Sequence, residues 1–225
     1  RAVPANLSPA LNNIAKPEVF VNGCVLSWQD VRQPECASGD VASKTRVALI
    51  GDSHAAMWEP ALESVAQQRG WRLETMAKVT CPLMKLPIVS PYLGREFSEC
   101  KQWRADVLAR VAKERPALIV LDMVRGQLRG TGAKVLVLGP VPDPHTTVPT
   151  CLSAHMNDIG ACTPQRSVAM NDKGIAAEVA AVRTGGGLYA NLGEFFCTDQ
   201  HCPLIIGNTL VFRDDNHITG EYAQL

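Results

Sequence analysis

Arg46-Val-Ala-Leu-Ile-Gly51-Asp52-Ser53-His54 carries the strongest structural signal in the chain. Its apolar run, Val47 to Ile50, is typical of a β-strand that is covered on both faces. Apolar residues at helical spacing follow Ser53, so the stretch predicts a strand, a tight loop and then a helix. Ligands of open α/β sheets bind beyond the carboxyl ends of the strands. Ser53 is therefore either part of a functional site or, in the simpler alternative, only a helix cap.

The rest of the chain continues this alternation of strands and helices. The first helix contains Pro60, which removes a backbone hydrogen bond, so we expect a turn or kink there before the helix ends at Gly70. A later helix is predicted to begin at Thr163-Pro164, because proline is tolerated in the first turn. The remaining predicted elements are strands at 71–75, 117–121, 134–138 and 188–192 and a helix at 103–111.

This order of elements predicts an α/β fold, a three-layer α/β/α sandwich with a mostly parallel central sheet. We assign it to residues 45–225. Residues 1–44 are rich in Pro, Asn and Ser and are predicted to form an irregular N-terminal segment that wraps the domain or links it to another part.

One connection does not fit this scheme. Only twelve residues separate Leu121 from Lys134, whereas a crossover between parallel strands needs about a dozen residues or more, usually with a helix. Either these two strands pair antiparallel, or part of the natural chain is missing between them.

Composition excludes several classes of protein. Hydrophobic residues make up 46% of the 225 residues, which is enough for a buried core and argues against a disordered chain. Lys plus Arg and Asp plus Glu both number 22, so no excess of positive charge favours nucleic acid as a partner. The apolar runs are far shorter than the ~20 residues that a membrane-spanning helix needs.

The cysteines indicate an oxidising compartment. There are eight, and they occur as near neighbours in the sequence. Eight thiols allow 105 pairings, of which the simplest joins neighbours in order. We therefore hypothesise four local disulfides: Cys24 with Cys36, Cys81 with Cys100, Cys151 with Cys162, and Cys197 with Cys202. The alternative is a zinc site at Cys197, His201 and Cys202, although no Cys-x2-4-Cys knuckle occurs there. Disulfides predict a location outside the cytosol.

A second polar motif lies near the end of the chain, at Asp214-Asp215-Asn216-His217. A three-residue gap lets the Asp214 carboxylate fold back onto the imidazole of His217. A serine hydroxyl becomes a nucleophile when such a histidine takes its proton, and a carboxylate fixes the tautomer of that histidine. We predict a triad of Ser53, His217 and Asp214, with Asp215 as the less favourable acid. An exposed polar turn is the alternative for this motif.

These motifs together resemble the SGNH, or GDSL-like, hydrolase superfamily. The resemblance is closest to the C-terminal extracytoplasmic SGNH domains of acyltransferase-3 membrane O-acyltransferases. It extends from about residue 20 to the C-terminus. The motifs that carry it are Gly-Asp-Ser-His-Ala-Ala-Met-Trp-Glu-Pro-Ala-Leu at 51–62, Cys81-Pro82, Cys100-x-x-Trp103, Cys197 to Pro203, and Asp-Asn-His-Ile-Thr at 215–219.

The resemblance implies that an acyl group, usually acetyl, passes through a Ser53 ester to a cell-surface glycan or glycolipid. It implies a fused or associated integral-membrane acyltransferase as partner, a location in the periplasm or on the outer face of the bacterial membrane, and no cofactor or metal. Two alternatives stay open. One is a free-standing carbohydrate esterase or lipase-like hydrolase with the same triad, and the other is a catalytically degenerate glycan-binding domain.

The chain departs from the superfamily in its oxyanion donors. Members often supply a glycine and an asparagine from later blocks, and no Gly-x-Asn-Asp block occurs here. The candidates that remain are the backbone N–H of Ser53 and, as a weaker one, Thr80 beside Cys81. His54 is expected to line the sheet wall or the rim of the pocket, with a role as general base as the alternative.

Overall fold

A computed structural model describes residues 1–84, 86–122 and 132–225, with Asp122 described by its backbone alone. Its strands are β1 (Val25–Leu26), β2 (Ala37–Gly39), β3 (Arg46–Gly51), β4 (Arg72–Lys78), β5 (Val89–Ser90), β6 (Arg95–Glu96), β7 (Leu118–Asp122), β8 (Lys134–Leu138), β9 (Leu188–Ala190), β10 (Ile205–Ile206) and β11 (Thr209–Leu210). Its α-helices are α1 (Ser53–Ala56), α2 (Glu59–Arg69), α3 (Ser98–Glu114), α4 (Val148–Ala154), α5 (Arg166–Ala169), α6 (Asp172–Thr184), α7 (Gly193–Phe196) and α8 (Gly220–Ala223). Short 3-10 helices occur at Glu18–Phe20 and Ile159–Ala161.

The central sheet has the strand order β1-β4-β3-β7-β8-β9, and β2 also pairs with β4. All of its pairings are parallel except that of β2 with β4. In register, Ile50 of β3 lies beside Met76 of β4 on one side and beside Leu121 of β7 on the other. The mostly parallel sheet is therefore confirmed, with β3 inside it and Ser53 just beyond its carboxyl end.

The two faces of the sheet explain why β3 is apolar throughout. Ala48 and Ile50 belong to a core with Trp103 and Val107 of α3 and Val182 of α6. Val47 and Leu49 point to the opposite face and share a core with Ala55 of α1 and Ala66 of α2. Because successive side chains of a strand alternate between faces, a strand with helices on both sides is apolar at every position. The three-layer α/β/α sandwich is confirmed.

The helix after Ser53 breaks where the sequence predicts. It consists of α1 and α2, and α2 begins at Glu59, so that Pro60 occupies the first turn, where proline needs no backbone donor. Gly70 ends α2 with φ 62°, and its N–H donates to the carbonyls of Ala66 and Gln67. Glycine adopts this left-handed conformation without strain.

Two expectations from the sequence were wrong. The helix predicted to start at Thr163-Pro164 starts later, because the Thr163 hydroxyl donates to Ile159 O at 2.9 Å within the preceding turn. The long helix is α6, which Asn171 caps by accepting from Gly174 N–H at 3.0 Å. The antiparallel alternative for β7 and β8 is also wrong, since they pair parallel in a register that sets Leu121 beside Val137. The question of missing chain concerns residues 123–131, which lie outside the described ranges.

The N-terminal segment 1–44 is irregular over most of its length, but it contributes β1 and β2 to the sheet. Lys78, at the end of β4, is fully buried, and its Nζ donates to the carbonyls of Ser27, Trp28 and Asp30 at 2.5 to 3.0 Å. A buried ammonium group requires such acceptors, because an unpaired charge in the core is strongly unfavourable. This lysine therefore fastens the N-terminal segment to the carboxyl edge of the sheet.

The predicted disulfides are all present: Cys24–Cys36, Cys81–Cys100, Cys151–Cys162 and Cys197–Cys202. The zinc alternative is wrong, because Cys197 and Cys202 are bonded to each other and have no thiolate to offer a metal. Among the helices of the described ranges, none combines the length and the hydropathy needed to cross a bilayer.

Removal of individual disulfides should destabilise the domain according to the loop that each closes. Cys81 and Cys100 are separated by 19 residues and Cys197 and Cys202 by 5. Loop-closure entropy predicts a loss of about 3 kcal/mol for the first pair changed to alanine and about 2 kcal/mol for the second. Urea unfolding of the two double variants measures this, with a thiol count on the denatured wild type as control. An equal loss in both variants would contradict the loop-closure argument.

Candidate active site

Ser53 occupies the sharp turn between the central strand and the first helix. Asp52 is the N-cap of α1, and its Oδ1 accepts from the backbone N–H of His54 at 2.9 Å. The same Oδ1 lies 3.5 Å from Nδ1 of the His54 ring. Asp52, rather than Ser53, therefore caps the helix. This leaves the Ser53 hydroxyl without a structural capping role and removes the simpler alternative for this residue.

The Asp214–His217 pair has the geometry that the sequence predicts. Asp214 Oδ2 lies 2.9 Å from Nδ1 of His217. Asp214 Oδ1 accepts two backbone N–H groups, from Asn216 at 3.0 Å and from His217 at 2.7 Å. The loop therefore wraps around the carboxylate and holds the imidazole against it. The exposed-turn alternative does not fit, because the ring of His217 is only 17% exposed.

These contacts set the charge of the carboxylate. Burial alone would raise the pKa of Asp214, but the hydrogen bond from His217 and the N–H of Asn216 outweigh it and hold that pKa well below its ordinary value. Asp214 is therefore ionised at neutral pH, and when the imidazole of His217 carries a single proton, the carboxylate holds that proton on Nδ1. Nε2 then presents a lone pair, which is the form that a general base requires.

His217 lies next to the turn that contains Ser53. Its ring stacks on that of His54, the residue after Ser53, with centroids 5.1 Å apart and planes at 20°. Nε2 of His217 is buried, and it has no hydrogen-bond partner among the residues that the structure describes. Ser53 is thus not hydrogen-bonded to it in this state. The structure brings the two motifs, distant in sequence, to the same place.

The two candidate oxyanion donors differ in their surroundings. The N–H of His54 is already donated to Asp52, which leaves the N–H of Ser53 as the donor predicted at this turn. Thr80 is exposed, has φ 51°, and its hydroxyl accepts from the indole of Trp28 at 3.2 Å. Both residues follow strands whose carboxyl ends adjoin in the sheet, since Gly51 pairs with Ala77. Their oxyanion role stays a prediction.

Two residues beside the pair were not predicted from the sequence. Arg213 has a side chain that is only 4% exposed, and its Nε lies 3.4 Å from Asp214 Oδ2. The face of Phe20 covers the Arg213 guanidinium at 4.0 Å, and its ring meets that of His217 edge-on at 5.9 Å. The position of Arg213 next to Asp214 was a usable signal. Phe20 comes from the irregular N-terminal segment and gave none.

A group of metal-ligand side chains lies elsewhere, at Cys151, His155 and Cys162, whose ligand atoms are within 4.8 Å of one another. The two cysteines are joined in a disulfide, so they offer no thiolate. The same holds for the cysteines of the zinc alternative considered from the sequence.

Comparison with known families agrees with this arrangement. The family described as "SGNH domain (fused to AT3 domains)" matches residues 23–125 and 120–225, which together span nearly the whole chain. The chain belongs to this SGNH family. The two matched segments contain Ser53 and the Asp214–His217 loop respectively. No curated protein matches the sequence significantly.

The solved structures that share the fold of this SGNH domain include the periplasmic domain of a lipopolysaccharide acetyltransferase from Salmonella ser. Paratyphi A, with a TM-score of 0.63 and 16% sequence identity. The similarity covers 92% of this chain and 84% of that one. At this identity the likeness establishes the α/β architecture.

The depressed pKa of Asp214 makes a prediction about acid stability. A carboxylate whose pKa is lower in the folded state contributes stability above its unfolded pKa of about 3.9, and this contribution is lost as the pH falls through the folded value. Asp214→Asn removes that contribution. The difference in unfolding free energy between wild type and variant should therefore begin to shrink below about pH 5 and continue to shrink below about pH 3, as measured by urea denaturation. A constant difference would show that the ionised carboxylate does not stabilise this loop.

Proposed function

We propose that this SGNH domain transfers an acyl group, acetyl in the simplest case, through a covalent ester on Ser53 to a hydroxyl of a cell-surface glycan or glycolipid. The observation that carries the proposal is the Asp214–His217 pair, whose ring stacks on the residue next to Ser53 at the carboxyl end of β3. Membership of a family fused to AT3 domains supports an acyl donor supplied by a membrane acyltransferase.

In the first half of the reaction, Nε2 of His217 takes the proton of the Ser53 hydroxyl. The Ser53 oxygen then forms a bond to the carbonyl carbon of the acyl donor, and the N–H of Ser53 stabilises the developing oxyanion. Asp214 stabilises the imidazolium that this step creates. When the tetrahedral intermediate collapses, the leaving group takes the proton from His217, and Ser53 carries the acyl ester.

In the second half, a carbohydrate hydroxyl enters and loses its proton to His217. Its oxygen attacks the ester carbonyl, the Ser53 oxygen leaves, and His217 returns the proton to Ser53. Water in place of the carbohydrate yields free acid by the same steps. The difference between a transferase and an esterase therefore lies in which hydroxyl compound occupies the site after acylation.

The four disulfides support an extracytoplasmic location, since such bonds persist in oxidising compartments. The Salmonella protein that shares the fold is named as a periplasmic domain. We place this domain in the periplasm or at the outer face of the membrane, beside its acyltransferase partner. A surface glycan is within reach of such a domain, whereas cytosolic acceptors are not.

An activated phosphonate should form an adduct with the wild type, detectable by mass, and none with Ser53→Ala, because the phosphonate captures an activated serine. Labelling should slow by roughly 10³-fold or more in His217→Ala and roughly 10²-fold or more in Asp214→Asn, since each disables the base. Asp215→Asn is the matched control, because Asp215 is the neighbouring exposed carboxylate. Labelling should also weaken as the pH falls through the range in which imidazoles gain a proton, about pH 6 to 7.

An adduct that persists in Ser53→Ala would remove Ser53 as the nucleophile, and a labelling rate that stays flat from about pH 8 to about pH 5 would remove a histidine base. If Asp215→Asn slows labelling as much as Asp214→Asn does, the assignment of the acid is wrong.

Transfer and hydrolysis are separated by product analysis. With an activated acetyl ester as donor, acylated sugar should accumulate when oligosaccharide acceptors are added, and free acetate should fall by the same amount. Ser53→Ala with the same mixture is the control for uncatalysed transfer. Release of acetate alone with every acceptor tested would favour the esterase.

A further inference from the structure

One turn of the N-terminal segment touches both halves of the candidate active site. The turn is Glu18–Phe20, and its middle residue, Val19, is 3% exposed. Val19 shares a buried cluster with Ala56, which lies in the helix that begins at Ser53, and with Ala77, the partner of Gly51 in the sheet. The next residue, Phe20, lies on the loop that carries His217. Two consecutive residues, Val19 and Phe20, thus connect the helix that begins at Ser53 with the loop that carries His217.

Phe20 contacts two residues of the loop that carries Asp214, namely His217 and Arg213. Its ring meets His217 edge-on, with centroids 5.9 Å apart and an interplanar angle of 76°. The face of the same ring covers Arg213, whose Cζ is 4.0 Å from the centroid. Arg213 in turn is the cation beside Asp214. One aromatic side chain therefore contacts both the base and the positive charge next to its carboxylate.

The contact with Arg213 matters because this guanidinium is short of partners. Its Nη1 is buried and has no hydrogen-bond partner among the described residues. A buried N–H group of a cation that has no acceptor is costly, and an aromatic face is a favourable alternative surface for the cation. Without the Phe20 ring, the Arg213 guanidinium loses a favourable contact, and we expect it to shift. Such a shift moves a positive charge away from Asp214.

The turn itself is held firmly. Phe20 N–H donates to Pro17 O at 2.9 Å, and Val21 and Asn22 N–H donate to Glu18 O at 2.9 and 3.0 Å. A few residues later, Cys24 is bonded to Cys36. The segment then joins the sheet as β1 and is tied by Lys78 to the end of β4. Phe20 is therefore presented to His217 by a rigid support, which is what a positioning group requires.

We propose that Phe20 is a positioning residue of the active site: together with Val19 it holds the His217 loop in register with the helix of Ser53, so that the N-terminal segment completes the catalytic arrangement. The inference rests on the proposed function, because it takes His217 as the base for Ser53. His217 is then fixed on three sides, by Asp214 at Nδ1, by the ring of His54 on its face and by Phe20 edge-on.

The test compares Phe20→Ala with Phe20→Trp and with a matched control, Phe195→Ala, whose side chain is 62% exposed. Phosphonate labelling of Ser53 should slow by about tenfold or more in Phe20→Ala, since a misplacement of ~1 Å in a catalytic group costs up to ~10²-fold. Phe20→Trp should retain most of the rate, because it keeps an aromatic face and edge. Phe195→Ala should label like the wild type. Phe20→Leu replaces Phe20→Ala if the alanine variant does not fold.

A second readout reports on the histidine directly. In ¹⁵N-labelled protein, the Nδ1–H resonance of His217, assigned by its loss in His217→Gln, should broaden in Phe20→Ala, because a loosened contact with Asp214 lets this proton exchange faster with solvent, and should keep its line width in Phe195→Ala. A merely structural role for Phe20 would lower the melting temperature and leave both the labelling rate at low temperature and the line width of this resonance unchanged. That outcome overturns the proposal.

The two proposals fail in different ways. If the wild type is not labelled at Ser53, the nucleophile assignment falls, and the His217 resonance still decides whether Phe20 positions the imidazole. If the wild type is labelled and Phe20→Ala is labelled equally fast with an unbroadened His217 resonance, the positioning role falls and the proposed function stands.

Discussion

The site depends on one half-buried carboxylate that never loses its charge at working pH. Asp214 gains two backbone N–H groups, an imidazole N–H and the flank of a guanidinium within a five-residue loop. The imidazole of His217 and the N–H groups of Asn216 and His217 favour the ionised form, and together they outweigh the cost of burial. The shape of the loop and the tautomer of His217 are thus set by the same charge. The geometry of the Asp214–His217 pair and the local fold depend on the same contacts, because the groups that bind the carboxylate are those that close the turn.

Three parts of the chain that are remote in sequence meet at the carboxyl edge of the sheet. The turn at Ser53 is placed there by β3, which is buried on both faces. The His217 loop is fixed by Ile218 and Thr219, both fully buried, and the Thr219 hydroxyl donates to Leu210 O at 2.6 Å. The N-terminal turn fills the space between them. Because the three parts share no continuous element, their relative position is set by side-chain packing between them.

The sequence predicts those features that repeat or that have fixed local spacing. Continuous apolarity over Val47–Ile50 reveals the doubly covered strand, and the gap from Asp214 to His217 reveals the pair. Helix boundaries that depend on competing local hydrogen bonds are harder to predict from the sequence. Thr163 is an example, because its hydroxyl donates to the preceding turn instead of capping a helix. Phe20 lies beyond prediction for a further reason. Its role arises from tertiary contacts of an irregular segment, which has no period and no motif.

The same geometry makes the base side of the site better defined than the oxyanion side. The carboxylate of Asp52 accepts the backbone N–H of His54. This N–H, one of the free donors in the first turn of the helix, therefore serves the helix cap. Thr80 is engaged with Trp28. A missing oxyanion donor typically costs about 10²- to 10³-fold in turnover. An oxyanion is stabilised by donors that are already fixed in place before the reaction. In the described residues the oxyanion side therefore rests on one predicted donor, the N–H of Ser53, whereas the base side is built from the contacts between Asp214 and His217.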